Sequence, residues 1–228
     1  SDLTLRLANS PSAGSLSASS PMTVSVGATF DTNMASGQTT CIGSIAGGGN
    51  IALGDGTLVA SGSSDLTFSG VISGNGGISK SGTGTLTLTG TNTYTGKTTI
   101  TQGAISIAAN ENLGVAPTPT AVADQVTLNG GSLVVTSDLT FSTTRGITLG
   151  DSDGTINVAS GTTLTYGGVI AGASSSADFT KAGAGSLVLS GVNTYSGATT
   201  ISAGAVSVTG SGSLGTVSDG AATYAGNI

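Results

Sequence analysis

Gly82-Thr83-Gly84-Thr85-Leu86-Thr87-Leu88-Thr89-Gly90 leads into Asn92-Thr93-Tyr94-Thr95-Gly96 and Thr98-Thr99-Ile100, and a hundred residues later the chain repeats itself. The second version reads Gly183-Ala184-Gly185-Ser186-Leu187-Val188-Leu189-Ser190-Gly191, then Asn193-Thr194-Tyr195-Ser196-Gly197 and Thr199-Thr200-Ile201. The offset is 101 residues from Asn92 to Asn193 and still 101 from Gly114 to Gly215. Upstream it is 98, from Leu66 to Leu164, so a three-residue insertion lies within Ala173 to Phe179. Recurrence over 66–114 and 164–215 is the mark of similar units stacked along an axis.

Alternation with period two dominates the chain. Thr85-Leu86-Thr87-Leu88-Thr89, Ala104-Ile105-Ser106-Ile107, Gly146-Ile147-Thr148-Leu149, Thr155-Ile156-Asn157-Val158 and Ala205-Val206-Ser207-Val208 put apolar residues on one face. Thr and Ser fall on the other, as in half-buried strands. The runs stop after four or five residues at Gly, Asn or Asp, which supply turns. No window shows helical spacing, so the chain reads as all-β.

A β-sandwich would not require the internal repeat. A transmembrane barrel needs strands of about 9–11 residues and two aromatic girdles, which four Tyr and four Phe cannot build. Short strands, Gly/Asn corners and stackable Leu, Ile and Val instead predict a β-solenoid. A shorter echo points the same way. Ile45-Ala46-Gly47-Gly48-Gly49-Asn50-Ile51 resembles Ile72-Ser73-Gly74-Asn75-Gly76-Gly77-Ile78, an offset of 27 residues. Turns of roughly 20–28 residues predict roughly 8–11 rungs, with Leu and Ile ladders inside and Thr and Ser ladders outside.

Of 228 residues, 39 are Gly and only 7% are charged, with no Trp and no His. Mean hydropathy is positive, whereas disordered chains are poor in apolar residues and rich in charge. The chain is therefore expected to fold. Net charge is −6, and the five basic residues, Arg6, Lys80, Lys97, Arg145 and Lys181, are scattered. No basic stripe faces a phosphate backbone, which argues against nucleic acid as a partner. No apolar run reaches the roughly 18 residues of a spanning helix. No signal peptide opens the sequence, so it reads as an excised or processed segment of something longer. Cys41 stands alone, without an intramolecular partner, and is expected to be a small buried apolar residue.

The string from Gly70-Val71-Ile72-Ser73-Gly74 through Lys80-Ser81-Gly82-Thr83-Gly84 to Asn92-Thr93-Tyr94-Thr95-Gly96-Lys97-Thr98 resembles the passenger-associated transport repeat. This repeat, also called the autotransporter-associated β-strand repeat, occurs in passenger domains of bacterial type V secretion proteins. The second copy resembles it too, with Lys181 answering Lys80 but Ala198 in place of Lys97. Gly27-Ala28-Thr29-Phe30-Asp31 and Val126-Thr127-Leu128-Asn129-Gly130-Gly131 are similar to flanking passenger segments. The resemblance implies a right-handed parallel β-helix displayed outside a Gram-negative cell, with residues 1–228 forming one solenoid segment. It also implies a C-terminal translocator barrel as partner, which this chain lacks, and repeats that assist passage across the outer membrane.

The remaining motifs carry little chemistry. Gly90 to Thr98 looks like a phosphate-binding loop but has five residues between its glycines where four are needed, and leads into a strand. Asn92-Thr93-Tyr94 and Asn193-Thr194-Tyr195 are expected to be architectural, Asn bonding locally at a corner and the Tyr ring covering a flank of the rod. Asp151-Ser152-Asp153-Gly154 starts like a calcium loop but lacks the remaining ligands; a plain turn is expected, with calcium at Asp151 and Asp153 left open. Without histidine, Ser-His-Asp and Cys-His machinery is excluded. Paired carboxylates remain conceivable, yet the acids are spread singly through turns. No catalytic, cofactor or metal residue is assigned, and no enzyme is expected. The expected function is a passenger stalk at the bacterial surface. The alternative is an adhesin or self-associating module acting on host matrix, glycans or neighbouring cells through a Thr/Ser-rich flank. Ice binding is a third, weaker reading, since rung lengths are irregular.

Overall fold

The alternation is realised as short parallel strands that coil in three-sided turns. The computed structural model describes residues 3–7 and 21–215. The chain divides into two compact units, Ser1–Ala116 and Pro117–Ile228. In the first unit one face stacks Leu3–Arg6, Ala28–Asp31, Asn50–Ala52 and Ile72–Ser73. A second stacks Met22–Val24, Ile45–Gly47, Leu66–Phe68, Thr85–Leu88 and Ala104–Ile107, and a third Thr39–Ile42, Thr57–Ala60, Gly77–Lys80 and Thr98–Ile100.

The second unit repeats the plan. Its faces are Val122–Leu128, Arg145–Leu149 and Ile170–Gly172; Ser132–Val135, Gly154–Val158, Phe179–Ala182 and Thr199–Ile201; and Leu139–Phe141, Thr163–Tyr166, Ser186–Leu189 and Ala205–Val208. Each unit is a β-solenoid. The two together amount to about 9 coils, inside the expected range. Among the described residues the one helical element is a 3-10 turn, Asn110–Leu113.

Register fixes the coil length. Leu66 faces Leu86, Ile51 faces Ile72 and Gly154 faces Phe179, offsets of 20, 21 and 25 residues. The 27-residue echo is therefore not a coil. Ile45 and Ile72 lie on different faces, and the true partner of Ile72 is Ile51. Inside the first unit, Leu58 stacks on Ile78, and Phe68 on Leu88. Inside the second, Leu133 stacks on Ile156 and Leu164 on Leu187. These side chains are all but inaccessible to solvent, and each fully buried one contributes about 1.5–3 kcal/mol.

Two kinds of glycine make the corners. Gly47 sits at φ 110°, which L side chains avoid. Gly70 and Gly90 are needed for contact instead. A Cβ on Gly70 would lie 1.6 Å from the Gly49 carbonyl oxygen, and one on Gly90 2.0 Å from that of Gly70. Backbones of successive coils touch here, so the column admits no side chain.

Cys41 departs from expectation. In Thr39–Ile42 it is Thr40 and Ile42 that turn inward, which leaves Cys41 half-buried on the outer side, paired in register with Val59.

Candidate functional site

The residues that recur between the copies converge inside the coils rather than on a surface. In the first unit the segment from Asn92 replaces a strand above Ile72–Ser73, with Thr93 N–H on the Ile72 carbonyl at 2.8 Å and Thr95 N–H on that of Gly74 at 3.0 Å. Asn92 is buried and spans three coils. Its Oδ1 accepts the Ile72 N–H at 2.8 Å, and its Nδ2 donates to the Asn112 carbonyl. Asn112 in turn accepts the Ala108 and Ala109 N–H groups at 3.0 and 2.9 Å and donates to the Gly90 carbonyl at 3.0 Å.

The second unit reproduces this with one change of residue. Asn193 Oδ1 accepts the Ile170 N–H at 2.8 Å and its Nδ2 donates to the Ser213 carbonyl at 2.6 Å. Ser213 stands where the first copy has Asn112, and its Oγ accepts the Asn193 N–H at 2.9 Å. The expected local corner role of these asparagines is thus widened: each joins neighbouring coils.

The tyrosines overturn an expectation. Tyr94 and Tyr195 do not cover a flank; they are 0% and 1% exposed. Each hydroxyl lies 2.7 Å from a threonine hydroxyl four residues on, Thr98 and Thr199. Thr98 points inward with Ile100, as the strand's alternation dictates, and the tyrosine supplies the partner its buried hydroxyl needs. Burial raises the Tyr195 pKa, with the Thr199 hydrogen bond opposing it. Tyr166 is buried by a different arrangement, donating to the Arg145 and Val169 carbonyls at 3.0 and 3.1 Å and meeting Phe141 edge-on. Burial raises its pKa as well. Arg145, fully buried, sets its guanidinium 5.7 Å from the Phe141 ring centroid.

Sequence reading missed the lysines. Lys80 and Lys181 were expected to be scattered cations, yet both are buried. Lys80 Nζ donates to the carbonyls of Gly62 at 3.3 Å and Gly82, and Lys181 Nζ to those of Ala182, Gly183 and Ala203 at 2.7, 2.8 and 3.2 Å. Burial pulls both ammonium groups below the usual 10.5; at Lys80 the negative charge of Asp65 partly offsets this. The signal was present: in Ile78-Ser79-Lys80 and Phe179-Thr180-Lys181 the alternation itself sends the lysine inward.

Three of the acids are corner staples. Asp65 Oδ1 accepts the Thr85 N–H at 2.7 Å, Asp138 that of Thr163 at 2.7 Å, and Asp178 that of Ala198 at 2.6 Å. Each bond ties one coil to the next. A sequence cue existed in Ser64-Asp65-Leu66-Thr67-Phe68 and Ser137-Asp138-Leu139-Thr140-Phe141, the same pentapeptide leading into and forming two strands. Asp153 joins the set, with φ 66° and Oδ1 accepting the Asp178 N–H at 2.9 Å; Asp151 is exposed. Among the described residues no three His, Cys, Asp or Glu side chains gather to hold a metal ion.

The outer faces carry hydroxyl ladders. In the second unit Ser132, Thr155, Thr180 and Thr200 follow one another in register. In the first, Thr67 stacks on Thr87, and Ser106 follows in register but is buried.

Recurring interior polar residues in parallel coils define a repeat whose signature is structural. The family model of the passenger-associated transport repeat matches the chain twice, over residues 78–107 and 179–208. The chain thus carries two such repeats, each beginning on a lysine-bearing strand and ending on the second strand after the tyrosine. It is also similar to the adhesin BmaC autotransporter of Brucella suis biovar 1 (strain 1330), 42% identical over 110 residues. That match covers 46% of this chain and 3% of the relative, so the chain spans a small fraction of the relative's length. No solved structure matches significantly.

Proposed function

We propose that the chain is part of an autotransporter passenger, exposed at or released from the surface of a Gram-negative bacterium, and serves as a non-enzymatic stalk for display. The observation that carries this reading is that the recurring residues are consumed in holding coil to coil. Asn, Tyr, Lys and Asp side chains all bond backbone or one another inside or between turns. The repeat match and the adhesin relative support it. The partner is a translocator barrel elsewhere in the parent protein, and the repeats aid passage because each coil that forms outside templates the next and opposes back-sliding. To test this, the chain is fused to a translocator barrel and its arrival at the surface followed by protease accessibility. Polar substitutions at Leu86, Leu88, Leu187 and Leu189 are expected to slow arrival; unchanged export would refute the role.

A second reading, adhesion, is favoured by the adhesin relative together with the uncharged Ser132–Thr155–Thr180–Thr200 ladder. Beads coated with the chain should then bind host cells or matrix, and Thr155→Lys with Thr180→Lys should abolish binding. Equal retention on bare and coated surfaces would remove this reading and leave the stalk.

A further inference from the structure

Lys80 and Lys181 hold equivalent places in their repeats, yet their surroundings differ. An ammonium has three N–H donors. Lys181 directs them at three backbone carbonyls, whereas among the described residues Lys80 reaches two, Gly62 and Gly82. In the second copy the third acceptor is the Ala203 carbonyl. Gln102 occupies that place in the first, and there its N–H is directed to the Lys80 carbonyl at 3.3 Å.

The neighbouring ladder residue changes in step. Lys181 stacks on Ile156, but Lys80 stacks on Ala60. Beside the smaller side chain lies a cavity of about 10 Å³, lined by Ser44, Ala60, Ser64, Lys80 and Thr85 among others. That is about the volume a single water needs, and a water also needs two or more polar partners. Lys80 supplies a donor. Ser44 Oγ already donates to the Ser64 carbonyl and accepts the Ser64 N–H, both at 3.2 Å, and a hydroxyl oxygen keeps a second lone pair.

We infer that one ordered water occupies this cavity as a fixed part of the first unit, accepting the third N–H of Lys80 and joining it to the Ser44–Ser64 corner. The water gives the ammonium a third acceptor from the side of the preceding coils, whereas Lys181 finds its third in the Ala203 carbonyl of the following coil. A halide is the poorer occupant, because the Asp65 carboxylate that favours the ammonium repels an anion at the same place. The site explains how a short Ala60 and a buried lysine coexist in one ladder: the space and the unused donor are matched by one molecule.

The test uses the whole chain labelled with 15N-lysine, at mildly acidic pH where ammonium protons exchange slowly. Rotating-frame Overhauser transfer from water, whose sign separates contact from proton exchange, should reach the Lys80 ammonium and not that of Lys181. Ala60→Ile fills the cavity and should abolish the Lys80 transfer; Ala60→Val serves if the larger residue prevents folding. A high-resolution crystal structure should show one density peak within hydrogen-bonding distance of Lys80 Nζ and Ser44 Oγ. Equal transfer to both lysines, transfer that survives the filled cavity, or an empty cavity in the crystal would each overturn the proposal.

Discussion

Replacing Asn92 by leucine keeps the branched four-atom outline of the side chain and removes both ends of a buried bridge. Two groups lose their partner: the Ile72 N–H, held at 2.8 Å, and the Asn112 carbonyl. Leaving a buried donor or acceptor unsatisfied costs about 1–3 kcal/mol each, so Asn92→Leu should destabilise by about 2–6 kcal/mol. That is a large part of the about 5–15 kcal/mol that holds an ordinary domain together. The assay is urea unfolding followed by circular dichroism, with the midpoint shift converted through the measured slope. Asn92→Asp sharpens the reasoning. Ionised, that carboxylate still accepts from Ile72 but meets the Asn112 carbonyl without a proton, in a buried place. Protonated, it both accepts and donates. Burial and the opposing carbonyl raise its folded pKa above the unfolded value, so its charge penalty is relieved as pH falls. The variant should therefore gain stability relative to the parent between neutrality and about pH 4. A cost below about 0.5 kcal/mol for Asn92→Leu, or a relative stability of Asn92→Asp indifferent to pH, would show that water reaches the bridge and refute its burial.

The lysines and tyrosines set an alkaline profile. Lys80 and Lys181 lose their protons in the folded chain below the usual 10.5, so stability should rise across that window as pH climbs to 10.5. Tyr166 and Tyr195 are held above the usual 10.0, so the unfolded chain ionises first and stability should fall above pH 10. Urea midpoints taken from neutrality upward read both limbs, and Lys80→Met with Lys181→Met should flatten the rise; a rise that persists would assign it elsewhere. Gly90→Ala forces a methyl 2.0 Å from the Gly70 carbonyl oxygen and should cost about 2–3 kcal/mol in the same assay; a neutral result would mean the coils separate easily there. Tyr94→Phe and Thr98→Val should each cost about 1 kcal/mol, with a double-mutant cycle coupling of similar size. Strict additivity would deny the hydroxyl pair.

Strand type and stacking were legible because period two survives in most strands, and the 101-residue repeat aligned Asn92 with Asn193 and Lys80 with Lys181. Register was not. Three faces carry the same alternation, so Ile45 and Ile72 look alike in sequence while lying on different faces, and only the pairing of Ile51 with Ile72 reveals the coil. Polarity also misled where one side chain's partner came from another coil. Lys80 reads as a surface cation until Gly62, eighteen residues back, offers its carbonyl. Tyr94 reads as a flank until Thr98 turns inward to meet it. Cys41 failed in the opposite sense, since its inward neighbours Thr40 and Ile42 fix it outside.

Coil length and core register are decoupled in this fold. The corner from Ala173 to Asp178 contains the three extra residues of the second copy, with Ser174 and Ser176 bonded to each other at 3.1 Å, yet Ile170 still faces Ile147 and Phe179 still faces Gly154. Lengthening such a loop costs little, because closure entropy grows only with the logarithm of its length. Such a corner behaves as a socket: a peptide epitope, a protease site or a small tag inserted at 174–176 would be carried on the outside while the interior continued to read its own ladder. The outline of the rod can thus be redrawn there without rewriting a single inward-facing residue.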